Sequence, residues 1–173
     1  MSLHQVLTAI HDLEMAGVVE RYAIGGAVGA TRYLAAVSTE DVDVFVTFKG
    51  ASGATLNPLA PIYGYLKPRG AKVSEGHLVI GGWPVQFLPA AGPLLEDAIA
   101  AAVHLDVDGV PTRVFTAEHL TAIALQVGRA KDKLRVVQMV EAKVLDMPRF
   151  EAILELHGLK TRWKDFSRAL LGG

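Results

Sequence analysis

Apolar residues recur along this chain with two spacings, one typical of helices and one typical of strands. From Leu3 to Met15 they follow helical spacing, and Gly17 comes next as a stop signal. From Val42 to Phe48 β-branched residues alternate, which predicts a strand entered through Asp41. The same reasoning predicts helices at residues 3–15, 27–36, 59–66, 93–103, 116–126, 131–145, 149–156 and 163–171. It predicts strands at residues 18–24, 42–48, 71–74, 77–80, 84–88, 105–107 and 111–115.

Turn signals separate the shorter elements. Glu75-Gly76 and Asp108-Gly109 each stand between two short predicted strands, as expected of β-hairpins. Residues 49–57 are rich in Gly, Ser and Ala and predict a loop. The order of elements indicates an α/β fold of the α+β kind, with a mixed β-sheet flanked by helices and a helical C-terminal region. We expect the α/β domain at residues 1–115 and the helical region, packed on it, at residues 116–173.

Composition narrows the class of protein. Lys and Arg together number 17 and Asp and Glu 18, which argues against a protein whose whole surface binds nucleic acid. The chain has no cysteine, which excludes disulfides, thiolate catalysis and cysteine-ligated zinc. Its start has no signal-peptide pattern, and no apolar run approaches the roughly 20 residues that span a bilayer. We therefore expect a cytoplasmic protein with no membrane partner.

The strongest chemical signal is a pair of acids at the start of a predicted strand. Asp41 and Asp43 are two residues apart, so along a strand their carboxylates point to the same face. Two carboxylates that close repel each other unless a cation compensates. Mg²⁺ prefers such oxygen ligands and commonly joins them to the phosphates of a substrate. The pair therefore predicts a Mg²⁺ site.

A pair of glycines stands where the preceding strand meets a helix. Glycine allows a backbone to approach a phosphate closely, and the N–H groups at the start of a helix attract anions. Gly25 and Gly26 are thus candidates for phosphate binding beside Asp41 and Asp43, provided that the two strands are neighbours. The alternative interpretations involve no ligand: Gly25-Gly26 would form only a tight turn, and Asp41 and Asp43 would be solvated residues at a strand end.

These motifs resemble the signature of the polymerase-beta-like nucleotidyltransferase superfamily: Gly-Gly after a strand, a short helix, then Thr-x-Asp-x-Asp entering the next strand. The branch to which the chain is most similar is that of the minimal nucleotidyltransferases and the related abortive-infection toxin-type proteins of bacteria. Gly128-Arg129-Ala130-Lys131-Asp132 also resembles their later Arg-x-Lys-Asp element, which opens a helix. The resemblance covers residues 18–145 and implies a nucleotidyltransferase-type sheet.

The resemblance also implies roles for individual residues. Asp41 and Asp43 would be the catalytic metal ligands, with Gln86 as a third ligand on the strand at residues 84–88. The nucleotide would be bound by a larger set: Gly25, Gly26, Thr39, Arg129, Lys131 and Asp132. The implied reaction transfers a nucleoside monophosphate from a triphosphate to an acceptor, with Mg²⁺ neutralising phosphate charge.

Gln86 departs from the pattern, because active members of the superfamily usually carry a third carboxylate there. An amide oxygen coordinates a metal weakly and cannot take a proton from an acceptor hydroxyl. Three explanations are compatible with this departure. The protein is a degenerate binder, or the strand alignment is wrong, or another acid folds into place. The candidate acids are Glu40, Glu75 and Asp106.

Three functional interpretations follow. The leading one is a nucleotidyltransferase-type protein that binds a nucleoside triphosphate with Mg²⁺ and transfers a nucleotidyl group to RNA, a protein or a small molecule. The alternative is a catalytically degenerate nucleotide binder or a toxin–antitoxin component with an antitoxin partner, for which Gln86 is the main support. A structural protein that merely shares the fold is the third.

Overall fold

The computed structural model describes residues 2–35, 39–50 and 57–172. Within these ranges one sheet of seven strands forms, in the order β3-β4-β5-β2-β1-β7-β6. The strands are β1 Arg21–Ile24, β2 Val42–Thr47, β3 Lys72–Ser74, β4 His77–Ile80, β5 Trp83–Pro89, β6 Val103–Val107 and β7 Val110–Val114. The helices are α1 Leu3–Met15, α2 Gly26–Ala30, α3 Ala60–Leu66, α4 Pro93–Ala100, α5 Ala117–Val127, α6 Ala130–Glu141, α7 Met147–Leu156 and α8 Lys160–Leu170, with a 3₁₀ turn at Lys67–Arg69.

The expected mixed α/β architecture, with helices flanking a mixed sheet, is confirmed. β1 and β2 are antiparallel, whereas β2 pairs in parallel with β5 and β1 in parallel with β7. The end of β1 therefore lies at the same edge of the sheet as the starts of β2 and β5. This pairing brings the Gly25-Gly26 turn, Asp41 and the first half of β5 to one edge.

The two faces of β2 are buried against different helices. Val42, Val44 and Val46 are almost fully buried in a core that includes residues of α1 and α3. On the opposite face Phe45 packs against Phe115, with ring centroids 5.0 Å apart, in a second core that includes residues of α2, α5 and α6. Asp43 alternates with the valines and therefore lies on this second face. A third core joins α5 to α6, α7 and α8.

Several element boundaries differ from the prediction at their ends. The strand expected from residue 18 begins at Arg21, because the backbone N–H groups of Val18 and Val19 donate to Leu13 O and close α1. The helix expected at 27–36 covers only Gly26–Ala30, and Tyr33, three residues later, donates its hydroxyl to Phe115 O. Residue 36 of that prediction lies outside the described residues, as do residues 51–56 of the predicted loop.

Three later helices also have shifted ends. The helix expected at 93–103 stops at Ala100, since Val103 pairs with Val114 as the first residue of β6. The helix expected at 131–145 stops at Glu141, and Lys143 takes a left-handed conformation with φ 54°. The last helix, expected at 163–171, already starts at Lys160.

The predicted division at residue 115 stays a prediction. Ala117 and Leu120 of α5 and Met139 of α6 share the second core with Ala23 of β1, so this face of the sheet is covered by helices that follow residue 115. Across the described ranges, no helix has both the length and the apolar character needed to cross a membrane.

Candidate functional site

The Gly25-Gly26 turn and Asp43 are in direct contact. The Gly25 backbone N–H donates to Asp43 O at 3.0 Å, which ties the end of β1 to β2. Gly26 has φ 55°, and a Cβ placed on it would lie 1.9 Å from Asp43 Oδ2. Only glycine fits there, because a side chain would both strain the backbone and overlap the carboxylate. Asp43 of the predicted acid pair thus faces the glycine turn.

Gly25 has a different reason to be glycine. A Cβ on Gly25 would lie 2.5 Å from Cε2 of Phe45 and 3.0 Å from Cε2 of Phe115. Packing against this aromatic pair therefore accounts for Gly25, whereas the approach of a carboxylate accounts for Gly26.

Asp41 lies immediately before β2 and interacts electrostatically with Asp43. Burial raises the pKa of the Asp43 carboxyl, and the negative charge of Asp41 raises the same pKa further. The segment that carries Asp41 is held by Thr39, whose hydroxyl donates to Asp41 O at 2.7 Å. Thr39 therefore acts on the backbone of the acid segment. A half-buried carboxylate whose charge is disfavoured by burial and by a neighbouring acid forms a site that a cation would stabilise.

Gln86 lies directly opposite Asp43. In the parallel register of β2 and β5, Asp43 pairs with Gln86 and Val42 with Val85. Residues directly opposite in a ladder point to the same face, so the amide of Gln86 stands beside the Asp43 carboxylate. Gln86 is therefore paired with Asp43 on the strand where the sequence analysis expects a third ligand, and its role there stays a prediction.

The structure removes two of the three substitute acids. Glu75 lies in the β3–β4 turn, at the sheet edge opposite to the site. Asp106 accepts the Gly109 backbone N–H at 2.8 Å in the β6–β7 hairpin. Glu40 is exposed beside Asp41 and is the substitute acid that stays near the site. In the part of the chain that the structure describes, no group of three His, Cys, Asp or Glu residues is placed to hold a metal ion.

Basic residues at the start of α6 act electrostatically on Asp43. Lys131, Arg129 and Arg135 each lower the pKa of Asp43, in that order, against the effects of burial and Asp41. The start of α6 is fixed by Asp132, which accepts from Arg129 Nε at 2.7 Å and from the Arg129 backbone N–H at 3.2 Å. Asp132 is thus a capping residue, and the helix start presents basic side chains to the acid pair.

Arg135 is a residue that the sequence interpretation missed. Its Nη1 donates to Gly26 O at 3.1 Å, which links α6 to the glycine turn. Its Nε is buried and, among the described residues, has no hydrogen-bond partner. The available signal was its spacing, since Arg135 follows Lys131 by four residues and so lies on the same face of the helix.

Comparisons with known proteins give a fold but no sequence family. No family model matches the chain, and no curated protein matches it. A crystal structure of an antigenic nucleotidyltransferase-like protein from Paracoccidioides brasiliensis is similar with a TM-score of 0.57 and 16% identity, over 98% of this chain and 94% of that one. The crystal structure of ANT(2″)-Ia in complex with adenylyl-2″-tobramycin is similar with a TM-score of 0.54 and 16% identity, over 93% and 96% of the two chains.

The chain has the nucleotidyltransferase fold. At the level of fold, the resemblance inferred from the Gly-Gly and Asp-x-Asp motifs is confirmed. The toxin-like branch stays a prediction, and so do the individual roles of Asp41, Asp43 and Gln86 and of the nucleotide-binding set.

Within this nucleotidyltransferase fold the donor set fits a divalent cation. Asp41 and Asp43 offer carboxylate oxygens and Gln86 an amide oxygen, which are hard ligands of the kind Mg²⁺ prefers. The raised pKa of Asp43 shows that its negative charge is poorly compensated by the protein alone. A cation bound there would relieve that cost.

Proposed function

We propose that the protein binds a nucleoside triphosphate together with Mg²⁺ at the edge formed by the Gly25-Gly26 turn, the Asp41–Asp43 pair and the start of α6. The observation that carries this proposal is the contact between Asp43 and Gly26, which leaves 1.9 Å between Oδ2 and a Cβ position on Gly26. The contact places the Asp43 carboxylate, a suitable metal ligand, beside the Gly25-Gly26 turn, a suitable phosphate-binding backbone.

Each group has a separate task in this proposal. Asp41 and Asp43 hold Mg²⁺, and Gln86 adds a weaker oxygen ligand from the neighbouring strand. The phosphates lie along the Gly25-Gly26 backbone, and the cations of Lys131 and Arg129 offset their negative charge. Thr39 and Asp132 act indirectly, since Thr39 holds the Asp41 backbone and Asp132 caps α6. Bound Mg²⁺ supplies charge neutralisation and alignment of the phosphates.

The reaction that accompanies this binding is transfer of a nucleoside monophosphate to an acceptor hydroxyl. The acceptor oxygen bonds to the α-phosphorus, the bond from that phosphorus to the bridging oxygen breaks, and pyrophosphate leaves. The hydroxyl proton needs a base, and the Gln86 amide cannot accept it. Glu40, exposed beside Asp41, is the candidate base in this proposal. The acceptor is RNA, a protein or a small molecule.

A second candidate function is nucleotide binding without transfer, as in a sensor or one component of a toxin–antitoxin pair. Gln86 favours it, because the amide stands opposite Asp43 where a third carboxylate would strengthen the metal and supply a base. Both candidates share the same Mg²⁺–triphosphate site and differ only in turnover.

Calorimetry with Mg²⁺ and each of ATP, CTP, GTP and UTP tests the shared site. Binding of at least one triphosphate that requires Mg²⁺ and disappears in the Asp41→Ala, Asp43→Ala double variant supports the proposal. Absence of binding with all four nucleotides rejects it. Incubation with α-labelled triphosphates and a tRNA pool or a protein extract then separates the two candidates, since only the transferase moves the label.

A further inference from the structure

Arg135 connects the helical C-terminal region to the glycine turn at the end of β1. Its Nη1 donates to Gly26 O at 3.1 Å, and the two residues are 109 positions apart in sequence. The Asp43 carboxylate also lies close to Gly26, where a Cβ would overlap it. The turn is therefore clamped between an acid of β2 and a guanidinium of α6.

The burial of Arg135 at this contact lowers the stability of the unliganded fold. Arg135 is half-buried, and burial lowers its pKa against the opposing effects of Asp132 and Asp43. Its buried Nε lacks an acceptor among the described residues. A buried donor without an acceptor destabilises a protein, whereas an apolar side chain of the same length would fill the space without that cost. Because Arg135 lowers stability and lies beside the glycine turn, we expect it to contribute to the function of the site.

We propose that Arg135 is a positioning residue that fixes the Gly26 turn in its left-handed conformation beside Asp43, so that the backbone N–H groups that follow Gly25, whose own N–H donates to Asp43 O, receive the phosphates of the nucleotide. This inference rests on the proposed function. It also makes α6 a necessary part of the site, since the guanidinium that donates to Gly26 O comes from that helix.

Three variants test the role of Arg135. Arg135→Met removes the charge and the donor but keeps an apolar stem of similar length. Arg135→Lys keeps one charged donor and is the conservative variant. Lys133→Met is the matched control, because Lys133 is exposed and two residues from Arg135, which places it on the other side of α6.

The first readout is calorimetric affinity for the Mg²⁺–triphosphate. Arg135→Met is expected to weaken triphosphate binding about tenfold or more, as for loss of a charged hydrogen bond. Arg135→Lys should recover part of the affinity, and Lys133→Met should match the wild type. The melting temperature of the unliganded Arg135→Met protein should equal or exceed that of the wild type. Wild-type affinity in Arg135→Met overturns the inference.

A second readout does not depend on nucleotide. Hydrogen exchange of the backbone amides at residues 25–30 should be faster in unliganded Arg135→Met than in the wild type, since Gly26 O has lost the side-chain hydrogen bond that ties the turn to α6. If the wild type binds no nucleotide, the proposed function fails while faster exchange still supports the clamp. If the wild type binds nucleotide and exchange is unchanged in Arg135→Met, only the role of Arg135 is wrong. Should Arg135→Met fail to fold, Arg135→Lys gives the same comparison with intermediate values.

Discussion

The Asp43 carboxylate lies against Gly26 so closely that a Cβ at Gly26 would stand 1.9 Å from Oδ2. A left-handed backbone at Gly26 and a hydrogen bond from the Gly25 N–H to Asp43 O maintain this contact. The absence of a side chain at Gly26, just after β1, thus allows the Asp43 carboxylate, which we assign to Mg²⁺, to take this position.

Replacing Gly26 by alanine should therefore both destabilise the fold and displace Asp43. The matched control is Gly17→Ala, because Gly17 also has positive φ, at 71°, but a Cβ there meets nothing within 4 Å. Backbone strain alone costs about 1–2 kcal/mol, which is the loss expected for Gly17→Ala. Gly26→Ala should lose more than that in urea unfolding and should lose Mg²⁺ affinity as well. Equal losses in the two variants would contradict the contact.

Asp43→Asn should stabilise the metal-free protein at neutral pH. Burial and the charge of Asp41 raise the pKa of Asp43 above 3.8, so the folded chain holds this proton to higher pH than the unfolded chain. Folding stability therefore falls as pH rises from 3.8 through the raised pKa, and Asn removes that loss. Urea unfolding from pH 4 to 8 should show a variant that is more stable at pH 7 and similar to the wild type near pH 4. Added Mg²⁺ should raise the stability of the wild type only.

Gln86→Asp should strengthen Mg²⁺ binding and weaken the metal-free fold. The new carboxylate would stand opposite Asp43, where like charges on facing strand residues destabilise the sheet. A bound cation reverses this effect, so the melting temperature of the variant should rise more steeply with Mg²⁺ than that of the wild type. Gln86→Asn is the uncharged control. An Mg²⁺ affinity equal to that of the wild type would show that residue 86 does not reach the metal.

A second polar cluster, away from the site, joins three helices. Asp97 Oδ2 accepts from His119 Nε2 at 3.2 Å and from His157 Nε2 at 3.0 Å. Both imidazoles are nearly buried, so Asp97→Ala leaves two donors without an acceptor and should cost about 1–3 kcal/mol in urea unfolding. Glu96→Ala, at an exposed neighbouring position on α4, is the control and should have little effect.

The same cluster makes stability depend on pH below neutrality. Burial lowers the pKa of His119 below 6.5, although Asp97 opposes this effect, so the unfolded chain takes up the proton first as pH falls. This lowers stability progressively below about pH 6.5. Burial alone would raise the pKa of Asp97, but hydrogen bonds from His157 and His119 outweigh it, so the contribution of Asp97 is lost only below 3.8. His119→Gln should flatten the stability profile between pH 7 and pH 5. A slope unchanged in that variant would contradict the assignment.

Local patterns are sufficient to predict most of the helices and strands. Asp108-Gly109 forms the predicted hairpin turn with both φ angles positive, at 52° and 81°, as a two-residue hairpin requires. Asp43 and Gln86 each alternate with buried residues of their own strand, and the pairing of β2 with β5 places them on the same face.

Long-range placement could not be predicted in the same way. Ile24 pairs with Val114, and no local signal indicates that β1 lies between β2 and β7. Without that order, the helical spacing of Arg135 from Lys131 indicates a shared helix face but not that this face lies beside the glycine turn. Local patterns also do not predict a helix end that a tertiary contact determines. Val103, for example, was expected in a helix but pairs with Val114 in the sheet.

A crystal soaked with Mn²⁺ and a non-hydrolysable triphosphate tests the central claim most directly, because anomalous scattering locates the metal without assumptions about activity. The account predicts one Mn²⁺ peak bonded to carboxylate oxygens of both Asp41 and Asp43, with the phosphates between the Gly26 turn and Lys131. Metal or phosphates bound elsewhere, with Asp41 and Asp43 left without a ligand at saturating concentrations, would contradict it.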